Sequence, residues 1–359
     1  MKHTVVRLAL VTLVATLLAG VPATSASAGT ATTATTAERG SRVITRTVEF
    51  QVVNTNATRV ACEADQQAYR VRARIVGPRR EVLSPDAPRI NVLVHGLATG
   101  SWFWNLRSKR SFDYATQLAR RGETSVVIDR LGYGASTLPN GDDTCLGAQA
   151  DMLHQIVQKL YSGLYVYPGR PGIDPPKAQH VVLHGHGVGA AIAQVESATF
   201  QDVDGLVLMS WADAGSSQRA VEEARQTSQL CATGDDYARY GQTNREFREL
   251  LFATAPAGVQ RKAARLHAAN PCGDALSLSQ MLAGSEALAD EIKEPVLLMY
   301  GGKDVLIRDG AAQDQADSYS AAESVTLRTI AGAGSALPLE RTAGKTQRQV
   351  VRWLRSTFN

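Results

Sequence analysis

The sequence predicts an α/β fold: a mostly parallel, doubly wound sheet that carries an inserted helical cap. The first observation is a set of short, nearly continuous apolar runs bounded by Gly, Asp or His, which is typical of strands buried on both faces. These runs are Ile90–Val94, Val126–Ile128, Val181–Leu183, Leu206–Met209 and Val296–Tyr300. The second is the alternation of these runs with helical patterns, as in right-handed β–α–β units. The third is a polar, helical interruption over residues 214–289.

The chain begins with a segment that resembles an export signal. Lys2 and Arg7 provide positive charge ahead of the apolar stretch Leu8–Val21, which is too short for a stable membrane span. The small residues Ala26-Ser27-Ala28 then form an A-x-A cleavage pattern. We therefore expect residues 1–28 to be a signal peptide that is cleaved after about Ala28, and the mature protein to be secreted.

The composition of the mature chain excludes several classes of partner. The whole chain has 359 residues and a net charge of +4, and removal of residues 1–28 leaves 331 residues with a net charge of +2. A near-neutral protein has no electrostatic footprint for nucleic acid or an anionic membrane surface. The 44% of apolar residues includes no further run of spanning length, so no membrane span is predicted.

The remaining elements follow in chain order. The Ala/Thr-rich residues 29–42 lack apolar periodicity and predict a disordered leader. Val43–Val53 and Tyr69–Ile75 alternate apolar and polar residues, which predicts half-exposed strands ahead of the parallel ones. Helices are predicted around Met152–Leu160 and, at the end of the chain, over Gln347–Phe358.

The four cysteines predict two disulfides. None lies in a C-x-x-C pair or at a metal-like spacing from His, so neither a metal site nor a cofactor is predicted. An even number of cysteines in an exported chain indicates disulfides, and four cysteines allow three pairings. We expect Cys62–Cys145 and Cys231–Cys272, because each pair then joins segments within one predicted subregion.

Ligand sites in doubly wound sheets lie at the carboxyl ends of the strands, so the residues that follow each run carry the functional information. After Ile90–Val94 comes His95-Gly96-Leu97, where a small residue lets a backbone N–H turn toward a substrate oxygen. Asp129–Ser136 follows the next run and contains closely spaced glycines. His184–Ala190 follows the third run and opens an alanine-rich helix.

These segments resemble the α/β-hydrolase superfamily over nearly the whole chain from about Val43. The similarity lies in the order of five motifs: the His95-Gly96 turn, the D-x-x-G-x-G-x-S segment Asp129–Ser136, the strand–turn–helix around Gly185–Gly189, Gly302-Lys303-Asp304, and the loop Ala331–Glu340. The resemblance implies the α/β-hydrolase fold.

The resemblance also implies how the chain is divided. Residues 43–213 and 290–359 would form the core, and residues 214–289 would form the cap, inserted after the sixth strand of the fold. The family's oxyanion hole would correspond to the backbone N–H groups of Leu97 and Val188.

The sequence departs from the family at both reactive positions. The family's G-x-S-x-G turn presents a nucleophilic Ser, but here Gly187 occupies that position in Gly185–Gly189. Ser335 stands where the base His is expected, and only the orienting acid, Asp304, remains. No His follows His267, so no local realignment restores the base.

The loss of these groups argues against ordinary serine hydrolysis. An acyl-enzyme route needs an activated nucleophile with a base within hydrogen-bond reach. Without the triad, oxyanion stabilisation and substrate binding alone leave roughly 10³–10⁴-fold catalysis over water. That residual rate is too low for an ordinary secreted esterase.

Four polar side chains are candidates for acid–base work, each with a structural alternative. His186 is either a rescued base or a packing residue, and His95 either acts directly or braces its turn. Asp304 is either a remnant that caps its loop or a lone acid–base group with a raised pKa. Asp213 follows the strand Leu206–Met209, an alternative position for the family's acid, but also fits a surface turn.

Further residues are candidates for the pocket. Trp102 either lines an apolar pocket or packs in the core. Tyr237 and Tyr240, in the predicted cap, either donate protons to a substrate oxygen or face solvent. Ser335 can hydrogen-bond Asp304, but as a nucleophile it has no base that the sequence identifies.

Three functions of different classes remain open. The first is a non-hydrolytic enzyme that cyclises, isomerises or eliminates a lipophilic small molecule, such as a secondary metabolite, in a pocket at Gly187 and Ser335. The second is a catalytically inactive homologue that binds a lipophilic ligand. The third is an ester or epoxide hydrolase with a displaced constellation, such as His186 or His95 with Asp213.

Overall fold

The computed structural model describes residues 42–358. The predicted signal peptide, residues 1–28, and nearly all of the predicted leader, residues 29–42, lie outside the described residues. Within residues 42–358, no helix is long and apolar enough to cross a membrane.

An eight-stranded, mostly parallel sheet forms the centre of the fold, as the sequence predicted. Its strands are β1 (Val43–Val53), β2 (Ala68–Pro78), β3 (Ile90–Val94), β4 (Thr124–Ile128), β5 (Val181–His186), β6 (Gly205–Met209), β7 (Val296–Gly301) and β8 (Val325–Ile330). The spatial order is β1-β2-β4-β3-β5-β6-β7-β8. The β1–β2 and β2–β4 pairs are antiparallel, and all pairs from β4 to β8 are parallel.

The burial of the strands explains which of them the sequence revealed. Strands β3 to β6 are buried along their whole length, so they read as continuous apolar runs. Strand β1 alternates between exposed and buried positions. Strand β8 was not predicted, because it lies at the sheet edge, is only partly buried, and carries Thr and Arg among its apolar residues.

Helices cover both faces of the sheet and fill the segment between β6 and β7. Those outside that segment are α1 (Arg79–Val82), α2 (Tyr114–Ala119), α3 (Leu146–Ser162), α4 (Val188–Phe200), α10 (Ala311–Ser318) and α11 (Ala343–Phe358). Those between β6 and β7 are α5 (Gln218–Ala232), α6 (Asn244–Leu251), α7 (Ala257–Ala264), α8 (Cys272–Leu276) and α9 (Leu278–Leu288). We call the segment from α5 to α9 the cap.

Both predicted disulfides are present. Cys62–Cys145 joins the loop after β1 to the start of α3. Cys231–Cys272 joins α5 to α8 within the cap, where the two cysteines form a small apolar cluster with Ala238 and Ala275.

A buried ion pair connects the core to the cap. Arg130 follows β4, and its Nη1 donates to Oδ2 of Asp274 on α8 at 2.7 Å, with both side chains almost fully buried. The Arg130 guanidinium also lies over the ring of Tyr133, 4.4 Å from its centroid, and the Tyr133 hydroxyl donates to the same Asp274 oxygen. Because both side chains are buried, removal of one partner leaves an uncompensated charge in the interior.

We therefore expect Asp274→Ala to lower the free energy of unfolding by about 3–5 kcal/mol, measured by urea denaturation. The matched control is Glu249→Ala, whose carboxylate pairs with Arg245 on the exposed surface of α6. Solvent screens that pair, so its loss should leave the denaturation midpoint nearly unchanged. Equal effects of the two substitutions would show that the buried pair does not hold the cap to the core.

Candidate functional site

A tight turn between β5 and α4 retains the geometry that holds a nucleophile in this fold. Gly187 has φ 52° and ψ −129°, a conformation that L side chains rarely adopt. A Cβ at Gly185 would lie 2.3 Å from the Ala190 backbone, and one at Gly189 would lie 2.4 Å from the Val94 carbonyl oxygen. These two glycines are thus required by close packing, whereas a Cβ at Gly187 meets nothing within 4 Å. The turn is intact and the space for a nucleophilic side chain is empty.

Two residues with unpaired backbone N–H groups line the cavity together with Gly187. Val188 is the first residue of α4, and Leu97 follows the His95-Gly96 turn; both line the same cavity. In the part of the chain that the structure describes, neither N–H donates to a protein acceptor. Free donors at a helix N-terminus bind an anionic oxygen favourably.

Contacts from the cap hold the turn that carries Leu97. The next residue, Ala98, has φ 60°, which is uncommon for a residue with a side chain. Its N–H donates to Oδ1 of Asn270 at 2.6 Å, and its carbonyl accepts from the N–H of Ala268 at 3.1 Å. The cap therefore fixes the strained conformation that directs the Leu97 N–H.

The cavity above this turn has a volume of about 330 Å³ and mostly apolar walls. Helices α5, α6, α8 and α9 of the cap form its roof. Six residues singled out from the sequence line it: Leu97, His186, Gly187, Val188, Tyr240 and Ser335. The size and apolar character suit a small, largely apolar molecule.

His186 and Ser335 meet across the cavity floor. Nε2 of His186 lies 3.2 Å from both the carbonyl oxygen and the Oγ of Ser335. The imidazole ring stacks on Phe103, with ring centroids 4.2 Å apart. Burial lowers the pKa of His186 to about 4, although the Ser335 carbonyl opposes the shift. The ring is therefore neutral at neutral pH.

The tautomer of His186 follows from its partners. The Ser335 carbonyl can only accept, so its bond to His186 requires a proton on Nε2. Nδ1 then carries a lone pair, and among the described residues this buried atom has no hydrogen-bond partner. Nδ1 lies beside Gly96, another residue of the cavity wall. Among the described residues, Nδ1 is therefore an unpaired acceptor that is buried beside this turn.

The loop that carries Ser335 is anchored by a buried carboxylate. Oε1 of Glu340 accepts from the N–H groups of Gly334 and Ala253, and Oε2 accepts from the N–H and hydroxyl of Thr254. The loop is thereby tied to the segment after α6. This anchoring holds the Ser335 carbonyl and hydroxyl in place beside His186.

Asp304 lies behind the cavity wall and not on it. Its Oδ1 accepts from the N–H of Leu306 at 3.0 Å, whereas its buried Oδ2 has no donor among the described residues. Burial raises the pKa of Asp304 to about 6, partly offset by the Leu306 N–H and the Ser210 hydroxyl. The predicted hydrogen bond from Ser335 to Asp304 is not formed, because the Ser335 hydroxyl is directed to His186.

Ser210 belongs to the site although the sequence did not single it out. It directly follows β6, has φ 53°, and lines the cavity. Its hydroxyl donates to the Ser335 carbonyl at 2.9 Å and lies near Asp304. Strained residues that are not glycine concentrate at functional sites. Its position at a strand end was the available signal, but Ser210 is not ionisable, and the sequence predicted Asp213 as the candidate after this strand.

His95 and Asp213 do not line the cavity. The displaced catalytic pair of His95 with Asp213, considered from the sequence, is therefore not formed there. Nε2 of His95 accepts from the N–H of Arg130, and burial followed by the Arg130 charge lowers the pKa of His95 well below its usual range. This supports the bracing role. Asp213 is buried and not in a surface turn. Its carboxylate accepts from four side chains: Trp211, Ser285, Gln194 and Gln315.

The remaining candidates divide between the cavity and its surroundings. Trp102 packs on Phe103 in the core and does not line the cavity. The Tyr237 hydroxyl donates to the Leu138 carbonyl, also away from the cavity. Tyr240 does line it, with its hydroxyl 3.3 Å from the Ala220 carbonyl oxygen, and burial raises the pKa of Tyr240. No group of metal-ligating side chains lines the cavity within residues 42–358.

Comparisons with solved structures agree with this fold. The chain is similar to a thermophilic esterase from Thermogutta terrifontis (TM-score 0.63, 18% identity, 86% of this chain and 100% of that one). It is also similar to an esterase from Exiguobacterium antarcticum (TM-score 0.58, 16% identity, 80% and 96%). A third relative is a monoacylglycerol lipase from Paleococcus ferrophilus (TM-score 0.56, 19% identity, 76% and 96%). At these identities the likeness concerns the fold alone.

Sequence comparison identifies the family. No curated protein matches the chain. The model of the Alpha/beta hydrolase family, in contrast, matches residues 92–345, from β3 to the start of α11. That range contains the turn at Gly187, both candidate oxyanion donors and the Ser335 loop. The chain belongs to the alpha/beta hydrolase family.

Proposed function

We propose that this protein is an exported, non-hydrolytic enzyme that cyclises, isomerises or eliminates a lipophilic carbonyl compound, such as a secondary metabolite. The observation that carries the proposal is a complete oxyanion framework without a nucleophile. Val188 and Leu97 present free N–H groups to the cavity, while Gly187 presents no side chain. A bound carbonyl group would therefore be polarised without being attacked by the protein.

The proposed mechanism begins with binding of the carbonyl oxygen by the two N–H groups. Negative charge that develops on this oxygen during enolisation is stabilised by donors that are already oriented, in a cavity with few competing polar groups. In this proposal His186, a neutral imidazole of the cavity wall, accepts the proton that leaves the adjacent carbon on its unpaired Nδ1, and the buried ring turns this edge toward the substrate to do so. Return of the proton at another atom gives isomerisation, and bond formation or loss of a leaving group gives cyclisation or elimination.

The walls supply positioning and exclude water. The cap roof and the apolar lining hold the substrate against the N–H groups, and orientation of this kind contributes several kcal/mol to a reaction. The absent Ser side chain enlarges the space directly over the oxyanion donors. A bulkier group next to the carbonyl is thus accommodated where an esterase holds its nucleophile.

A displaced hydrolase is the second candidate, and one contact favours it. Ser335 Oγ lies 3.2 Å from His186 Nε2, so the structure supplies the base that the sequence did not identify. This route needs the lone pair of His186 on Nε2, whereas the Ser335 carbonyl requires a proton there. The backbone contact therefore favours the non-hydrolytic function over this one.

The first prediction for this site concerns the Val188 N–H. We expect the protein to accelerate exchange of the α-protons of 2-tetralone in D₂O, followed by NMR. Val188→Pro should reduce the exchange rate by about 10²-fold, because it removes one oxyanion donor. Proline is well tolerated at the first position of a helix, so α4 should remain folded. Val188→Ala is the control, which keeps the N–H and should retain most of the rate.

Two results would contradict this mechanism. If 2-tetralone binds, as shown by a raised melting temperature, but exchanges no faster than in buffer, the protein is a ligand-binding homologue. If the Val188→Pro and Val188→Ala variants catalyse proton exchange in 2-tetralone at equal rates, the Val188 N–H does not contribute to catalysis.

The second prediction separates the two enzymatic candidates. We expect no hydrolysis of p-nitrophenyl butyrate above the buffer rate, since no activated nucleophile faces the oxyanion donors. Ser335→Ala should consequently leave ester hydrolysis at background and affect 2-tetralone exchange only a few-fold. Ester turnover that disappears in Ser335→Ala and persists in Ser279→Ala, another hydroxyl of the cavity wall, would establish the displaced hydrolase instead.

The third prediction concerns the protonation of Asp304. Its pKa is about 6 in the folded protein against an ordinary value of 3.8, so the native state holds this proton more tightly than the unfolded chain does. The Asp304 contribution to stability therefore falls as pH rises from about 4 to 6. Relative to wild type, Asp304→Asn should be more stable by up to about 3 kcal/mol at pH 7.5 and similar at pH 4, by urea denaturation.

Asp309→Asn is the control for this measurement, because Asp309 is exposed on the same loop. It should show the same stability relative to wild type at both pH values. An Asp304→Asn variant with equal effects at pH 4 and pH 7.5 would mean that folding does not raise the pKa of this carboxyl.

A further inference from the structure

We propose that His154, Glu196 and Asp202 form a binding site for a divalent transition-metal ion of the Zn²⁺ class. The three residues come from different elements: His154 from α3, Glu196 from α4, and Asp202 from the loop after α4. One potential ligand atom from each lies within 4.8 Å of the other two. The sequence predicted no metal site, because the three residues have no metal-like spacing along the chain.

The first part of the argument is the geometry of the cluster. Nδ1 of His154 and Oδ2 of Asp202 are already 2.8 Å apart. Zn²⁺ binds nitrogen and oxygen ligands at about 2.0–2.2 Å, which places the ligand atoms of a tetrahedral site about 3.3–3.6 Å apart. Binding therefore requires the His154–Asp202 pair to open by about 0.5 Å and the third side chain to approach by up to about 1.5 Å. Stacking on Phe200, with centroids 3.8 Å apart, holds the His154 ring in place.

The second part is a buried carboxylate without a partner. Glu196 is 0% exposed, and within the described residues neither of its carboxylate oxygens has a hydrogen-bond donor. Oδ1 of Asp202 is also buried and without a donor there. Buried charges are ordinarily paired or coordinate metals, because desolvation is expensive. Neither Glu196 nor Asp202 forms an ion pair with Lys or Arg in the part of the chain described.

A shared proton is the competing occupant of this cluster. Burial, followed by the carboxylates of Asp202 and Glu294, raises the pKa of Glu196 well above its usual range. A proton between Glu196 and Asp202 would relieve their repulsion and would leave His154 bound to Asp202 alone. A divalent cation neutralises both carboxylates and also takes the imidazole as a ligand, so it engages all three residues directly.

The donor set indicates the class of ion. Imidazole nitrogen suits Zn²⁺ and its transition-metal neighbours, whereas Mg²⁺ and Ca²⁺ prefer oxygen alone. Three protein ligands leave a position for water, as in open Zn²⁺ sites. The His154 and Asp202 side chains are 26% and 15% exposed, which provides an entry path from solvent. Gln158 donates to Asp202 and orients it, as supporting groups at metal sites do.

A metal at this position would cross-link α3 to the C-terminal part of α4. The same helix begins at Val188, so Glu196 lies about 12 Å along the helix from the oxyanion donor. The metal site is therefore separate from the cavity. A metal bound there would stabilise α4, the helix that positions the Val188 N–H. This inference does not depend on the proposed function.

The test is a Zn²⁺ titration of the purified protein, without a polyhistidine tag, after treatment with EDTA and dialysis. Calorimetry should show one Zn²⁺ per chain. The melting temperature should rise by about 3–5 °C at free Zn²⁺ about 100 times Kd. Glu196→Gln, which preserves shape, and His154→Phe, which preserves ring stacking, should each weaken binding at least tenfold.

The matched control is His180→Phe. His180 also pairs with an Asp, at 2.8 Å from Asp204, but within residues 42–358 it belongs to no group of three potential ligands. This variant should bind Zn²⁺ like wild type. The proposal is overturned if wild type shows neither binding nor a melting shift, or if His180→Phe reduces binding as much as His154→Phe does. A Glu196→Gln variant that is more stable than wild type, in a protein that ignores Zn²⁺, would identify the shared proton instead.

Discussion

Arg130 is the residue on which the arrangement of core, turn and cap depends. Its guanidinium donates to the carbonyl of His95, at the oxyanion turn, and to Asp274 of the cap, while its backbone N–H donates to the His95 ring. The buried Arg130 side chain thus connects the end of β4 to the His95-Gly96 turn and to α8 of the cap. The low local dielectric strengthens these contacts and makes the loss of any partner costly. Together with the Asn270–Ala98 and Glu340–Thr254 contacts, this connection keeps the cap above the oxyanion turn.

The site has unpaired backbone N–H groups at Leu97 and Val188, which can stabilise negative charge. It has no side chain at Gly187, the position of the family's nucleophile. Packing requires glycine at positions 185 and 189, and cap contacts fix the strained turn at Ala98, so the oxyanion framework persists independently of the residue at position 187. Gly187 and Ser335 leave a neutral imidazole, hydroxyl groups and an apolar wall. These groups suit proton transfer on an already polarised carbonyl better than acyl transfer.

Local pattern predicted the elements whose environment is uniform. Buried parallel strands such as Ile90–Val94 read directly from their apolar runs, because both faces of such strands meet the core. The edge strand Val325–Ile330 was missed, since one side of it meets solvent and its residues give no uniform pattern. The disulfide pairing was recovered because cysteines close in one subregion have few alternatives. Asp213 was misplaced because its burial results from Gln194, Ser285 and Gln315, all distant in sequence.

The sequence by itself determined the fold class, the five ordered motifs, the presence of Gly187 and Ser335 within two of them, and the two disulfides. These properties depend on residue identity and on short-range periodicity. Only the tertiary structure decided that His186 faces Ser335, that Asp304 lies behind the wall next to Ser210, and that Glu196 joins His154 and Asp202. Each of these contacts depends on the packing of separate elements, and both protonation and metal affinity follow from the burial that packing produces.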